Sequence, residues 1–267
     1  MSDDDAELVK AGVEGIVEGS LKPFSDLISS LFGPVASEAG LMLKDHVQHF
    51  RVRRQVRLFE RTAAKLREAG VEPTSVELKL LLPIIEHASV ESDDDLQDIW
   101  ANLLTNAADP RPESWKVLRS FPSILKELGS ADVKFLDALY RRARDLAPCP
   151  KPGDLESVTF ELEDLFSVYS RTGLAMRSYY IRPSHEDLAL HLDDVKQDKQ
   201  SIQIILDSLI RQRLLSSDTQ MPEILMGYTQ PPMKIAYSLT HLGVMFVKAC
   251  QPAASREDAE ELELPTQ

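Results

Sequence analysis

The sequence predicts a mainly α protein, with an N-terminal bundle of long amphipathic helices and then a smaller α+β part carrying one β-hairpin. Three observations carry that prediction. Only 11 of 267 residues are glycine and 6% are aromatic, which suits helices better than a turn-rich sheet. Apolar residues recur at helical spacing along most of the chain. Strand-like runs are confined to two short stretches near the carboxyl end.

Residues 5–32 form the first amphipathic segment. Glu14, Glu18, Lys22 and Asp26 recur every four residues as a polar stripe, opposite short apolar runs interleaved with Gly12, Gly15 and Gly19. Pro23 lacks the N–H that a helix interior uses, so a kink or restart is expected there. Gly33-Pro34 punctuates, and Pro34 suits the first position of the longest helix, which should run to about Ala69. Its apolar stripe passes through Val35, Met42, Val47, Phe50, Leu58 and Leu66, and Gly70 is its expected stop.

A helix over about Ser75–Ala88 should kink at Pro83. Ser92 reads as the N-cap of the next helix, with Asp95 three residues on and Asp93 and Asp94 favouring the helix dipole. That helix turns Leu96, Ile99, Trp100, Leu103 and Leu104 inward and ends near Ala108. Another over about Glu113–Leu128 should break at Pro122. Helices of this length joined by short loops predict an antiparallel bundle.

Past Gly129 the pattern changes. Ser130 should cap a helix carrying Val133, Phe135, Leu136, Leu139 and Tyr140. A loop over Ala147–Gly153, a short helix over Leu162–Val168, a helix Asp187–Leu192 capped by Ser184 and a longer one over Gln200–Leu214 follow. Ile224–Tyr228 and Ile235–Leu239 read as strands across a turn with Pro231-Pro232, and Thr240 caps a last helix through Ala249. This order resembles a winged helix, with Ser184–Leu192 and Ile202–Leu215 as its helix pair; such a likeness implies a fold and not DNA binding. The expected divisions are an acidic, amphipathic start over 1–33, a helical domain over 34–128, a winged-helix-like domain over 129–250 and a disordered acidic tail over 251–267.

Charge narrows the partners. The net charge of −13 repels nucleic-acid phosphates and anionic lipid unless cations gather on one face. Between Ser184 and Gln200 five acids face two lysines, the wrong balance for a helix entering the major groove. Nucleic acid is therefore not an expected partner. The acidic start MSDDDAELVK does not read as a secretory leader, and no apolar run approaches the roughly 20 residues that span a bilayer. Cys149 and Cys250 have neither metal-ligand spacing nor the density of a disulfide scaffold. A cytoplasmic protein is expected, with peripheral association with the inner membrane open through residues 5–32.

No catalytic constellation emerges. There is no G-x-S-x-G, no Gly-rich phosphate loop and no HExxH; His46 and His49 have a spacing that permits joint ligation but lack a second ligand cluster. No enzyme activity, cofactor, metal or small-molecule ligand is expected. Two surfaces stand out instead. Asp98, Asn102 and Asn106 form a polar ridge at spacing four, read either as a recognition surface, a network with a neighbouring helix, a solvated face or buried amides. Arg51, Arg53, Arg54, Arg57 and Arg61 form the one dense cationic patch, suited to phosphate-bearing ligands or to pairing with nearby acids.

Three blocks carry a family resemblance: "LFGPVASEAGLMLKDHV", "LKLLLPIIEHASVESDDDLQDIWANLLTNAADP" and "SFPSILKELGSADVKFLDAL". The stretch from Leu31 to Leu128 resembles the prokaryotic abortive infection alpha family. The resemblance implies a bacterial antiphage setting and carries no catalytic residue with it. Together these features predict a non-enzymatic defence protein acting through contacts with a protein partner or with itself. The alternatives are a membrane-perturbing effector using residues 5–32 and a DNA-binding regulator.

Overall fold

The computed structural model describes Leu27, Ser30, Leu31 and residues 49–111, 116–147, 153–175, 188–220 and 234–253. These form two compact units: residues up to Ser123 together with those from Ala249 onward, and Ile124–Lys248. Most of the segment 5–32, the first part of the long helix, the region around Cys149, the Ser184 cap and the strand expected over Ile224–Tyr228 lie outside the described residues, as does nearly all of the tail.

The first unit is built on α1 (His49–Glu68), α2 (Leu78–Val90) and α3 (Asp94–Ala108). Leu58, Phe59, Thr62 and Leu66 give α1 a buried stripe at helical spacing. Gly70 ends the helix as expected. Its φ of 63° is the left-handed conformation; its N–H donates to the Arg67 carbonyl at 3.1 Å and Val71 N–H to that of Leu66 at 2.9 Å, a Schellman closure. Leu31 and Leu27 are buried, and the Leu31 carbonyl accepts a hydrogen bond from Val76 N–H at 2.9 Å.

The helix α2 begins at Leu78, three residues later than expected, and continues through Pro83. The cap of α3 is Asp93, not Ser92. The Asp93 carboxylate accepts from Asp95 N–H at 2.8 Å and Leu96 N–H at 3.1 Å, and its charge suits the helix dipole better than a hydroxyl does. Ser92 N–H instead donates to the Glu91 carboxylate at 2.7 Å. Of the helix expected over Glu113–Leu128, the described residues keep α4 (Phe121–Leu125), and residues 116–118 are not helical. Pro122 falls at the second residue of α4, in the first turn, where its missing N–H costs no helical hydrogen bond.

In the second unit α5 (Ser130–Leu146) starts one residue before its expected cap would allow: Gly129 is the cap residue, and its N–H donates to the Asp132 carboxylate at 2.8 Å. Burial pushes the Asp132 carboxyl up, against the Gly129 N–H, the Ser208 hydroxyl and the Arg211 charge. Then come α6 (Asp154–Ser157), β1 (Thr159–Phe160), α7 (Leu162–Arg171), α8 (Leu188–Arg211), β2 (Leu215–Gln220), β3 (Lys234–Leu239) and α9 (His241–Cys250). The strands form one antiparallel sheet in the order β1-β3-β2, with Leu215 opposite Leu239 and Thr159 opposite Ser238. Phe135, Leu139, Leu165, Leu206, Leu209 and Leu239 fill the core.

One sequence expectation fails here, and one strand was not expected. The described part of the two helices expected over Asp187–Leu192 and Gln200–Leu214 is one continuous α8 (Leu188–Arg211), because no glycine or proline interrupts residues 188–211. The helix pair before the hairpin is therefore α7 and α8. The first strand follows α8 almost at once. Arg213, at φ 59°, ends the helix in the manner of a glycine, with Arg213 N–H donating to the Ile210 carbonyl at 2.8 Å and Leu214 N–H to that of Leu209 at 2.9 Å. A side chain in that conformation costs about 1–2 kcal/mol. Gly70→Ala is thus expected to lower unfolding free energy by about that much and Arg213→Gly to raise it by about 1 kcal/mol, read as opposite shifts of the urea midpoint at constant m.

Candidate interaction surface

Arg54, Arg57, Arg61 and Lys65 occupy one stripe of α1, since spacings of three and four place side chains above one another. Each reaches the α2–α3 corner. Arg54 Nη1 donates to the Val90 carbonyl at 2.9 Å, Arg57 Nη1 to Asp94 Oδ1 at 3.0 Å, and Lys65 Nζ to Asp98 Oδ2 at 2.9 Å. Arg61 holds both the Asp94 carbonyl, at 2.8 Å, and its carboxylate, at 3.0 Å. The partners climb α3 as the donors climb α1, so these two helices run parallel and in direct contact.

The cationic patch is consequently divided. Arg54, Arg57 and Arg61 are engaged with the unit's own acids and carbonyls, Arg53 is exposed, and the Arg51 side chain lies outside the described residues. The Arg57–Asp94 pair is more than half exposed on both sides, a setting in which ion pairs are worth about 0–1 kcal/mol. Arg61, one quarter exposed and doubly bonded, carries more. Arg61→Ala should cost about 1 kcal/mol and Arg53→Ala less than about 0.5 kcal/mol, measured as paired denaturant midpoints. Equal losses would show that the ladder does not discriminate between them.

The polar ridge is one row with two destinations. Asp98, half-buried, belongs to the α1 ladder. Asn102 and Asn106 are 4% and 5% exposed, so they form no open face. Asn102 Nδ2 donates to the Cys250 carbonyl at 2.9 Å, and Asn106 Nδ2 to those of Ala249 at 2.9 Å and Gln251 at 2.8 Å. All three acceptors belong to the carboxyl-terminal residues of the same unit. The last carbonyls of a helix have no partner within it, and these two amides supply one.

Sequence reasoning passed over two further capping side chains. Gln97 is fully buried and its amide donates to the Ala88 and Glu91 carbonyls, closing the end of α2. Thr74 closes the end of α3: its N–H and hydroxyl both reach the Ala108 carbonyl, at 2.9 and 3.1 Å. The signal for Gln97 was present, because it sits three and four residues before Trp100 and Ala101 on the apolar stripe. A polar side chain there must find a buried partner.

The other titratable candidates resolve locally. Burial pushes the Cys250 thiol far up, away from the thiolate that a nucleophile or metal ligand requires. The His46 and His49 side chains and Cys149 lie outside the described residues. Among the described residues no group of three His, Cys, Asp or Glu side chains is arranged to hold a metal ion, and no helix is long and apolar enough to cross a membrane.

Comparison with known proteins adds one finding. Residues 53–250 match the family described as abortive infection alpha. The match begins inside α1 and runs to the end of α9, so it includes the whole second unit and leaves out the "LFGPVASEAGLMLKDHV" block. No curated protein and no solved structure matches the chain.

Proposed function

The chain belongs to the abortive infection alpha family, and from that premise we propose that it is a bacterial antiphage protein acting through protein contacts and without chemistry of its own. The observation that carries the reading is the extent of the family match, which takes in the whole second unit and the first from residue 53 to Ser123. The side-chain chemistry supports it: the polar and cationic groups that stand out in the sequence hold main-chain carbonyls and carboxylates together, and the one described thiol is buried and held protonated. The second unit supports a contact role as well. We read its order of helix, strand, two helices and hairpin, with strand order β1-β3-β2, as winged-helix-like, with α7 and α8 as the helix pair.

The membrane-perturbing alternative is less favoured. Leu27 and Leu31, the apolar side of segment 5–32 that is described, are buried, so insertion would first have to extract them. Phage challenge of cells carrying the gene, with membrane potential followed in parallel, tests the reading. Protection with polarised membranes supports it. No protection, or purified protein that turns over nucleotide, nucleic acid or peptide bonds in a manner abolished by a point variant, overturns it. Liposome leakage lost on deleting residues 5–32 transfers the case to the membrane reading.

A further inference from the structure

We propose that the exposed stripe of α8 pairs with the same stripe of a second copy of this chain, antiparallel about a two-fold axis at Ile204. Its use in the cell rests on the contact-based function proposed above; the pairing itself does not.

Gln197, Gln200, Ile204, Asp207 and Arg211 are all exposed and follow one another at spacings of three and four, the seam along which two helices meet. The opposite face of α8, through Ile202, Ile205, Leu206 and Leu209, is buried in the second unit's core. Ile204, at the middle of the seam, is 70% exposed, more than any other large apolar side chain among the described residues. Asp207 and Arg211 cancel, so the seam itself attracts neither a phosphate backbone nor anionic lipid. Lys196 and Lys199 flank the seam rather than lie on it, and Lys199 is turned over the Phe166 ring, 5.9 Å from its centroid.

The order of residues along the seam decides the orientation. Two parallel copies would set Asp207 against the partner's Asp207 and Arg211 against the partner's Arg211, both repulsive. Antiparallel about Ile204, that residue meets itself, Asp207 meets the partner's Gln200, and Arg211 meets the partner's Gln197. Each polar crossing occurs twice and is complementary: an amide N–H donates to the carboxylate, and the guanidinium donates to an amide oxygen. Gln203 Nε2 already donates to Asp207 Oδ1 at 2.9 Å, so the second carboxylate oxygen is the one offered to the partner. Self-complementarity under a two-fold is what an isologous dimer requires. The seam is about 21 Å long. A contact of that size belongs to the small, transient class, with a dissociation constant on the order of 10–100 µM.

The test uses the full chain. Sedimentation across a concentration series spanning that range should show a monomer–dimer equilibrium. Ile204→Glu, which sets a charge against its own copy, should raise the dissociation constant by about tenfold or more while the circular dichroism spectrum stays unchanged. Two changes at Gln200 separate this seam from any other. Gln200→Lys puts a cation opposite the partner's Asp207 and should tighten the dimer by about threefold or more, a gain that shrinks at high salt. Gln200→Glu puts like charges together and should loosen it. Cross-linking in a Cys149→Ser background reads the geometry. Ile204→Cys should oxidise to a disulfide-linked dimer, and Arg211→Cys should not, because the two copies of residue 211 lie about 21 Å apart. A monomer throughout, a dimer indifferent to Ile204→Glu, or equal effects of Gln200→Lys and Gln200→Glu overturns the pairing. In cells, Ile204→Glu should lose protection against phage, and protection equal to wild type overturns the use of the dimer there. Absence of protection by the unaltered protein would instead sink the proposed function, while sedimentation and cross-linking still decide the pairing.

Discussion

Gly243→Ala is expected to destabilise the second unit by about 3 kcal/mol or more, although alanine is the better helix former by about 1 kcal/mol. A Cβ on residue 243 would lie 2.1 Å from the Leu214 carbonyl oxygen and 3.0 Å from its carbon, and both are main-chain atoms. That wall cannot retreat. Leu214 N–H is bonded to the Leu209 carbonyl at 2.9 Å, its own carbonyl accepts from Thr240 N–H at 3.1 Å, and the next residue opens β2 opposite Leu239. The added methyl must therefore push α9 away. Doing so pulls Thr240, whose hydroxyl accepts from Gly243 N–H at 2.9 Å, out of its capping position, which costs about a further 1 kcal/mol. Gly129→Ala is the control: a Cβ there meets nothing closer than the Asp132 carboxylate at 3.7 Å, and its extended backbone suits any residue. It should be neutral or stabilising by about 0.4–1 kcal/mol through the unfolded chain. Thermal unfolding followed by circular dichroism distinguishes the two; similar shifts for both would show that α9 does not approach Leu214 so closely.

What the sequence made legible is local. The stripe of α3, the glycine that stops α1 and the threonine that caps α9 are each recognisable within a few residues, since periodicity and caps are short-range signals. The continuity of α8 was hidden by the polar run around Lys196–Gln200, which breaks the apolar stripe without breaking the helix; Lys196, Gln197, Lys199 and Gln200 face solvent and only Asp198 turns inward. The strand β2 was missed for a related reason. Its sequence, LSSDTQ, has no apolar alternation, and Ser216–Asp218 are all exposed. The destinations of the two polar clusters were illegible for a different reason. Arg57 and Arg61 were visible as cations, but their partner Asp94 is 37 and 33 residues away. Asn102 and Asn106 meet carbonyls 148 and 143 residues later, a pairing that only the folded chain defines.

Trp100→Ala is expected to cost the first unit about 3–5 kcal/mol. Its side chain is 1% exposed and heads the fully buried groups by volume, so its removal opens a large cavity. The cost of a cavity depends on whether its walls can move inward. The Schellman closure at Gly70 and the Arg–Asp ladder fix α1; Gln97 fixes the end of α2; Asp93 and Thr74 fix the two ends of α3. The His87 ring on α2, tilted 43° against the indole with centroids 6.1 Å apart, is held by the same frame. Walls pinned at both ends collapse little, which places the loss toward the upper part of the range. Since a domain has only about 5–15 kcal/mol of stability in total, the alanine variant stands close to unfolding, and Trp100→Phe supplies the measurable intermediate at about 1–2 kcal/mol. Urea midpoints at unchanged m give both values. A loss below about 1 kcal/mol for alanine would mean that the helices do close over the gap, and that the capping side chains at their ends do not fix them. The comparison with Arg61→Ala is the sharper one. If burial rather than the charged ladder holds α1, α2 and α3 together, the tryptophan must exceed the arginine several-fold, and raising salt must weaken the ladder's share while leaving the tryptophan's intact.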